Sequence, residues 1–373
     1  MGLIDWLFGK KSKLQGEEEL EEEVEKKVEE GIEEKAVEWF KLGVQAENAE
    51  EKIDYYTKAL ELDPEYLFPW LGKAAVFVGL EKYEAAIDCY DKVIEIYPKA
   101  ASIWNDKGYA LVRLRKYEAA IDCYDKALEI DKALGMDSKD ADAWFNKGFA
   151  LRNLGKYEAA IDCFDKALGM DSKDADAWFS KGFALRNLGK YEAAIDCYDK
   201  ALQIDSKYAA AWHDKGYVLL AELGKYEAAI DCFDKALDID PNDVIPWWKK
   251  GDTLYKLGKY QAAIDCYDKA LEIDPKIAIV WRGKGYILAG LGKYEAAIDC
   301  YNEALEIDPE EDNARLNKGN ALYELGKYEA AIDCYDKVLE IYPKHVIPWA
   351  SKGNALYNPV FARKLRLRRR RKG

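Results

Sequence analysis

An eleven-residue string, KYEAAIDCYDK or a close variant, begins at Lys82, Lys116, Lys156, Lys190, Lys225, Lys259, Lys293 and Lys327. Its leading tyrosines, Tyr83 through Tyr328, fall at intervals of 34, 40, 34, 35, 34, 34 and 34 residues. A fixed period of this size marks an array of one supersecondary unit, each copy unable to bury its apolar face alone and completed by its neighbour. Function in such an array is to be sought on an extended surface.

Residues 141–174 serve as the reference unit. Trp144, Ala150, Leu151 and Leu154 recur at helical spacing, Gly155 interrupts, and a second stripe runs through Tyr157, Ala160, Ile161, Phe164, Ala167 and Leu168. Two helices joined by a tight turn follow. Gly155, at position 15, ends the first helix in the left-handed conformation, as do Gly189, Gly224, Gly258, Gly292 and Gly326. Position 8 is Gly148 and its equivalents, position 20 is Ala160 and its equivalents, and small residues there let two helices cross closely. Pro64, Pro98, Pro241, Pro275, Pro309 and Pro343 stop the second helix and start the next unit.

In these residues the chain resembles the tetratricopeptide repeat family, whose pattern has Trp at 4, Leu-Gly at 7 and 8, Ala at 20, an aromatic at 24, Ala at 27 and Pro at 32. The resemblance spans residues 36–357, with a degenerate first repeat, eight full repeats from Leu67 and a half repeat from Val346. Residues 1–35 form an apolar and acidic segment, partly disordered or helical, and residues 358–373 a basic tail. The resemblance implies an all-α, right-handed superhelical solenoid of stacked antiparallel helix pairs, acting as a non-catalytic scaffold for proteins or peptides. Two departures stand out: Lys replaces Leu at position 7 from Lys73 to Lys352, and Arg315 replaces Trp at position 4.

Positions 2, 5, 9 and 12 line the concave groove in that family. Carried over to this chain, they give Phe145, Phe149, Arg152, Phe179, Phe183, Arg186, His213, Tyr217, Trp248, Tyr255, Arg282, Tyr286 and Tyr323 as the partner-binding residues. Aromatic and arginine side chains carry most interface energy, because they bury much area with few rotors. Members that grip acidic chaperone tails have Lys at position 5; none stands there in this chain, so that clamp is absent.

Two irregularities bear on geometry. Residues 131–164 and 165–198 differ only at Asn146 against Ser180 and Phe164 against Tyr198, a duplication that a solenoid tolerates and a fixed catalytic centre rarely does. Six extra residues between the second and third full repeats would, as helix, add about 9 Å and turn the exit by about 240°. An irregular joint is therefore expected near residues 129–140.

Other chemistry finds little support. Eight cysteines, Cys89 to Cys334, all take position 23. Equivalent helices lie too far apart for the roughly 7 Å Cα separation a disulfide needs, and no CxxC or Cys/His cluster marks a metal site. They read as packing residues in a reducing cytoplasm. The nine position-7 lysines offer either an anion-binding stripe or, more simply, stems lying on apolar surface with amines near carboxylates. Acid–base pairs such as Asp88 and Lys92 on the second helices read as a solvated face. His213 and His345 are far apart, and no phosphate-loop, metalloprotease or catalytic-triad motif is present. No catalytic residue, metal, cofactor or small-molecule substrate is assigned.

The formal net charge of −14 disfavours polyanions as the main partner, but the ends differ in sign. Eleven Glu face two Lys over residues 17–34, while residues 363–372 carry eight basic residues and no acid. The basic tail offers contact with an anionic surface or nucleic acid, and MGLIDWLFGKKSK a weak membrane-surface anchor. A nucleic-acid- or membrane-surface adaptor is thus the alternative function. No run of about 18 apolar residues is present, and a cytoplasmic location, with peripheral membrane contact as the variant, is expected.

Overall fold

The computed structural model describes residues 34–133 and 141–358. The readings of the acidic N-terminal segment, most of the basic tail and the far side of the six-residue insertion lie outside those residues. Two compact units divide the chain, residues 1–200 and 201–373. The first holds α1 (Glu34–Gln45), α2 (Ala49–Leu62), α3 (Leu67–Gly79), α4 (Tyr83–Ile96), α5 (Ala101–Arg113), α6 (Tyr117–Ala133), α7 (Ala141–Asn153), α8 (Tyr157–Met170), α9 (Ala175–Asn187) and most of α10 (Tyr191–Ile204). The second holds α11 (Ala209–Ala221), α12 (Tyr226–Ile239), α13 (Val244–Lys256), α14 (Tyr260–Ile273), α15 (Ala278–Gly290), α16 (Tyr294–Ile307), α17 (Asp312–Glu324), α18 (Tyr328–Ile341) and α19 (Val346–Tyr357). Among the described residues every element is a helix, and within each unit consecutive helices pack on one another as antiparallel pairs.

The turn between paired helices is set by one residue. Gly155 has φ +73°, and behind it the Lys156 amide donates to the Leu151 carbonyl at 2.9 Å, closing the helix end. The repeats starting at Leu67 and Ala101 lack this glycine, and Glu81 and Arg115 are forced to φ 57° and 58°. A side chain in that region crowds its own carbonyl. Glu81→Gly and Arg115→Gly are each expected to stabilise the protein by about 0.5–1 kcal/mol, read as a rise in the denaturant midpoint; no rise would mean the turn carries no strain.

Insertions are absorbed outside the paired helices or at their ends. The 35-residue interval adds one residue to the turn after α11, where Gly224 takes φ +62° and Lys225 reaches back to the Leu219 carbonyl at 2.8 Å. After Lys116 the second helix instead runs on: α6 has 17 residues where α4, α8 and α12 have 14. That extension is the start of the expected irregular joint; its remainder, residues 134–140, lies outside the described residues.

The core is a ring set into a glycine. In each full hairpin from α5 to α18 the aromatic at position 24 lies against the glycine at position 8. A Cβ on Gly108, Gly251 or Gly285 would come within 2.5–2.7 Å of Tyr124, Tyr267 or Tyr301. The position-20 alanines alongside are fully buried. Close approach is what brings the two backbones together, so glycine is required for space rather than conformation.

Hairpins are joined by a second recurrent set. The indole Nε1 of Trp104, Trp178, Trp247 and Trp281 donates to a backbone carbonyl six residues earlier, at 2.9–3.2 Å. Beside each ring lies the position-7 lysine, with Nζ 5.4–5.7 Å from the centroid for Lys107, Lys181, Lys250 and Lys284. The same amines bind an aspartate on the preceding hairpin: Lys107 with Asp91, Lys147 with Asp125, Lys181 with Asp165, Lys250 with Asp234, Lys284 with Asp268 and Lys352 with Asp336. The lysine ladder is therefore an inter-hairpin joint. Six of its amines are already neutralised, which removes the basis for an anion-binding stripe.

One joint is built differently. Asn302 stands where the other full repeats have Asp, and Arg315 where they have Trp. Arg315 keeps the indole's role, donating from Nη2 to the Pro309 carbonyl, and pairs with Asp312 at 2.8 Å. Lys318 thus loses both the ring and the carboxylate of its counterparts.

The outer-face pairing keeps the expected i,i+4 order at Asp54 and Lys58, 2.7 Å apart, and departs from it in three other second helices. Lys92, Lys126 and Lys269 bind Glu95, Glu129 and Glu272 at 2.7 Å, three residues on. Where that glutamate is replaced by Gly169, Gln203 or Asp238, the equivalent Lys166, Lys200 and Lys235 swing onto Trp144, Trp178 and Trp212, 3.8–4.1 Å from the ring centroids. In these three helices the glutamate takes the amine from both the aspartate one turn back and the ring, whereas in α2 Lys58 stays with Asp54 although Glu61 stands three residues on.

Candidate functional site

In the first unit α7 and α9 bring four of the expected residues together. The Arg152 guanidinium carbon lies 4.4 Å from the Phe149 ring centroid and 5.0 Å from Phe183, and that of Arg186 lies 4.6 Å from Phe183. Arg152 also donates to the Ser180 hydroxyl at 3.3 Å. The rings and guanidiniums alternate along two successive first helices, all half-buried. Each guanidinium offers a cation to the electron-rich ring face, which restrains the rotors of both side chains. Phe145 and Phe179 take a different role, leaning on Phe164 and Tyr198 at 5.9 Å between centroids.

In the second unit the expected residues divide. Tyr255 and Tyr286 meet edge to face at 5.8 Å, and Tyr260 lies 5.9 Å from Tyr255. Together with Tyr294, Asn317, Asn320 and Glu324 they line a cavity of about 320 Å³, floored by the buried Tyr301. Burial raises the Tyr255 phenol above its ordinary value, with Tyr286 adding to the effect. The Tyr335 hydroxyl donates to Asn320 Oδ1 at 3.0 Å and, mainly through burial, is pushed up to about 12. These phenols stay protonated at neutral pH and act as donors and as ring faces.

The other expected residues are placed elsewhere. Lys249 spans Trp248 and Tyr217, with Nζ 3.7 and 5.7 Å from their centroids. His213 packs on Phe233 at 6.1 Å, with Nδ1 3.1 Å from Asp214. Arg282 is held by Glu311 at 3.2 Å, and Tyr323 turns its ring onto Tyr328 at 5.4 Å, away from the cavity lining. Sequence reasoning overlooked Tyr260, Tyr294, Asn317 and Glu324, and with them the small residues Ala289 and Gly290 that make the cavity. The available signal was two small residues in succession, Ala289 and Gly290, where each of the other full repeats has a larger residue at the first of the two positions.

Among the described residues no three His, Cys, Asp or Glu side chains cluster in a way that would hold a metal ion, and no helix is long and apolar enough to cross a membrane. None of the eight cysteines is in a disulfide; seven of them are buried and Cys334 partly so. Burial raises the Cys89, Cys123, Cys197, Cys266 and Cys300 thiols to about 11, which keeps them protonated and unreactive.

Comparison with known proteins adds the following. Models described as tetratricopeptide repeat match residues 69–99, 99–173, 175–208, 197–231, 248–312 and 313–345, and one described as TPR repeat matches 219–258. No curated protein matches the chain. Among solved structures, pilF of Pseudomonas aeruginosa is 20% identical with a TM-score of 0.51, over 59% of this chain and 99% of that one. A chain of the APC/C hetero-tetramer Cut9-Hcn1 is 17% identical with a TM-score of 0.50, over 84% of this chain and 60% of that one. YrrB, described as a TPR protein with an unusual peptide-binding site, is 27% identical with a TM-score of 0.46, over 52% of this chain and 99% of that one.

Proposed function

This chain belongs to the tetratricopeptide repeat family, and from that premise we propose that it is a non-catalytic scaffold holding protein or peptide partners on the face of its first helices. The observation that carries the reading is the preformed strip of Phe149, Arg152, Phe183 and Arg186. Rings and guanidiniums locked against one another lose little rotamer freedom when a partner covers them, so more of the contact energy appears as affinity. The strip repeats its chemistry in adjacent duplicated hairpins, which suits an extended ligand with a repeated feature or two binding registers. Binding is the whole of the proposed activity.

Phe149→Ala together with Phe183→Ala is expected to weaken capture of bound partners at least tenfold, corresponding to two lost interface anchors, while far-ultraviolet circular dichroism stays unchanged. Pull-down on the full chain, followed by affinity measurement on the captured proteins, reads this. Undiminished binding with an intact fold would remove the strip from the function.

A further inference from the structure

The second unit leaves bare a tyrosine whose counterpart in the first unit lies under an arginine. In the first unit Arg113, at position 13 of its repeat, lies 5.3 Å from the ring centroid of Tyr83, at position 17 of the repeat before. Tyr83 is 9% exposed. Tyr260 holds the same position as Tyr83, but Gly290 stands where Arg113 would, and a Cβ built on Gly290 meets no atom within 4 Å. Tyr260 is 43% exposed. Position 12 tells the same story: Arg152 fills the space between Phe149 and Phe183, and the matching residue in α15 is Ala289. Two consecutive small residues vacate, in one hairpin, the space that arginines occupy in others, and that space is the cavity lined by Tyr260, Tyr286 and Glu324.

The lining is complementary to a cation. It contains no Lys or Arg; its one charged group is the exposed Glu324, which has no ion pair among the described residues. Tyrosine faces are electron-rich, and a guanidinium stacks flat on them while remaining more weakly hydrated than an ammonium. We propose that this cavity receives the side chain of an arginine from a partner peptide, stacked on Tyr260 and Tyr286 with its charge met by Glu324. The protein's own hairpins show the geometry such an arginine would adopt. The proposal rests on the reading of the chain as a peptide-binding scaffold, but on residues separate from the Phe149–Arg186 strip, so the two fail independently.

The test uses the full chain and three probes: acetyl-Gly-Arg-Gly-amide, its citrulline counterpart, which keeps the shape without the charge, and its glutamate counterpart. Saturation-transfer NMR titration is expected to give the arginine probe at least a tenfold tighter Kd than the citrulline probe, with the glutamate probe weakest. Glu324→Gln should cut the arginine–citrulline difference about fivefold. Gly290→Arg, which supplies the missing side chain internally, should abolish arginine binding while leaving circular dichroism and the Phe149- and Phe183-dependent capture intact. Equal Kd values for arginine and citrulline, or undiminished arginine binding in Gly290→Arg, would overturn the proposal. So would arginine binding seen only when the six arginines between residues 363 and 371 are changed to glutamine, since the chain's own tail would then be the occupant. A lost capture phenotype with preserved arginine selectivity would instead count against the Phe149–Arg186 strip alone.

Discussion

Gly285→Ala should destabilise the protein by about 1–2 kcal/mol, whereas Gly353→Ala, the same change at the same repeat position, should stabilise it by up to about 1 kcal/mol. At Gly285 the added methyl would lie 2.7 Å from Cε1 and 3.0 Å from Cδ1 of Tyr301. Tyr301 is 1% exposed and floors the tyrosine cavity, so the methyl can be taken up only by pushing the ring off its seat or by parting the two helices. That overpacking exceeds the helix-propensity gain of alanine over glycine. Around Gly353 no atom of the described residues lies within 4 Å of the new methyl; only the propensity gain remains. Both residues lie in the second unit, so one set of denaturant melts followed by circular dichroism compares them directly. Equal shifts of the same sign would show that glycine at position 8 is kept for flexibility and not for space.

Phe233→Ala is expected to cost about 3–5 kcal/mol, the largest single effect considered. The ring is 0% exposed, seated on Gly216 and flanked by His213. Its removal leaves a hole that two helices pinned by neighbouring hairpins cannot collapse into. In a chain whose hairpins each depend mainly on their neighbours, a loss of this size should split the unfolding transition rather than merely shift it. Hydrogen exchange would place the early-opening amides in α11 and α12. By contrast Tyr286→Ala, at a ring that is 51% exposed, should change stability by no more than about 0.5–1 kcal/mol. A single unshifted transition in Phe233→Ala would contradict the ring-in-glycine account of the core.

The fold was readable because each structural necessity recurs with the period. Gly155 and its equivalents announce a left-handed turn, Gly148 and Phe164 a close helix crossing, and Pro275 the end of a hairpin; eight repetitions separate these from chance. The joint was only half readable. The position-7 lysines were visible as a column, but their partners, Asp91, Asp165 and Asp234, sit on the preceding hairpin at a sequence distance of 16 residues and look like ordinary surface acids. The outer-face pairs misled for a related reason. Asp88 precedes Lys92 in the favourable order, yet Glu95 reaches the amine with one more methylene and captures it.

The candidate site was legible in part. Rings and arginines at positions 9 and 12 identified Phe149, Arg152, Phe183 and Arg186 because these differ from the repeat background. The tyrosine cavity escaped because its walls are background: Tyr260 and Tyr294 belong to the invariant KY of every unit, and a residue present everywhere draws no notice. What creates the cavity is the absence of side chains at Ala289 and Gly290. A periodic sequence displays its additions more readily than its omissions.

The Trp–Lys–Asp joint has a consequence for how such a chain can grow. Every standard hairpin presents a lysine and a tryptophan at its leading edge and an aspartate at its trailing edge, so a copied block arrives with both halves of the coupling already matched. The near-identical segments 131–164 and 165–198 were therefore mechanically safe to insert. The hairpin beginning at Asp312 is keyed otherwise, by Arg315 against a trailing Asn302. Moved upstream it would face an aspartate with no indole beside its lysine, and a standard hairpin set in its place would offer its lysine to an amide. The hairpins with standard edges are interchangeable parts, and this one is fitted to its own seat.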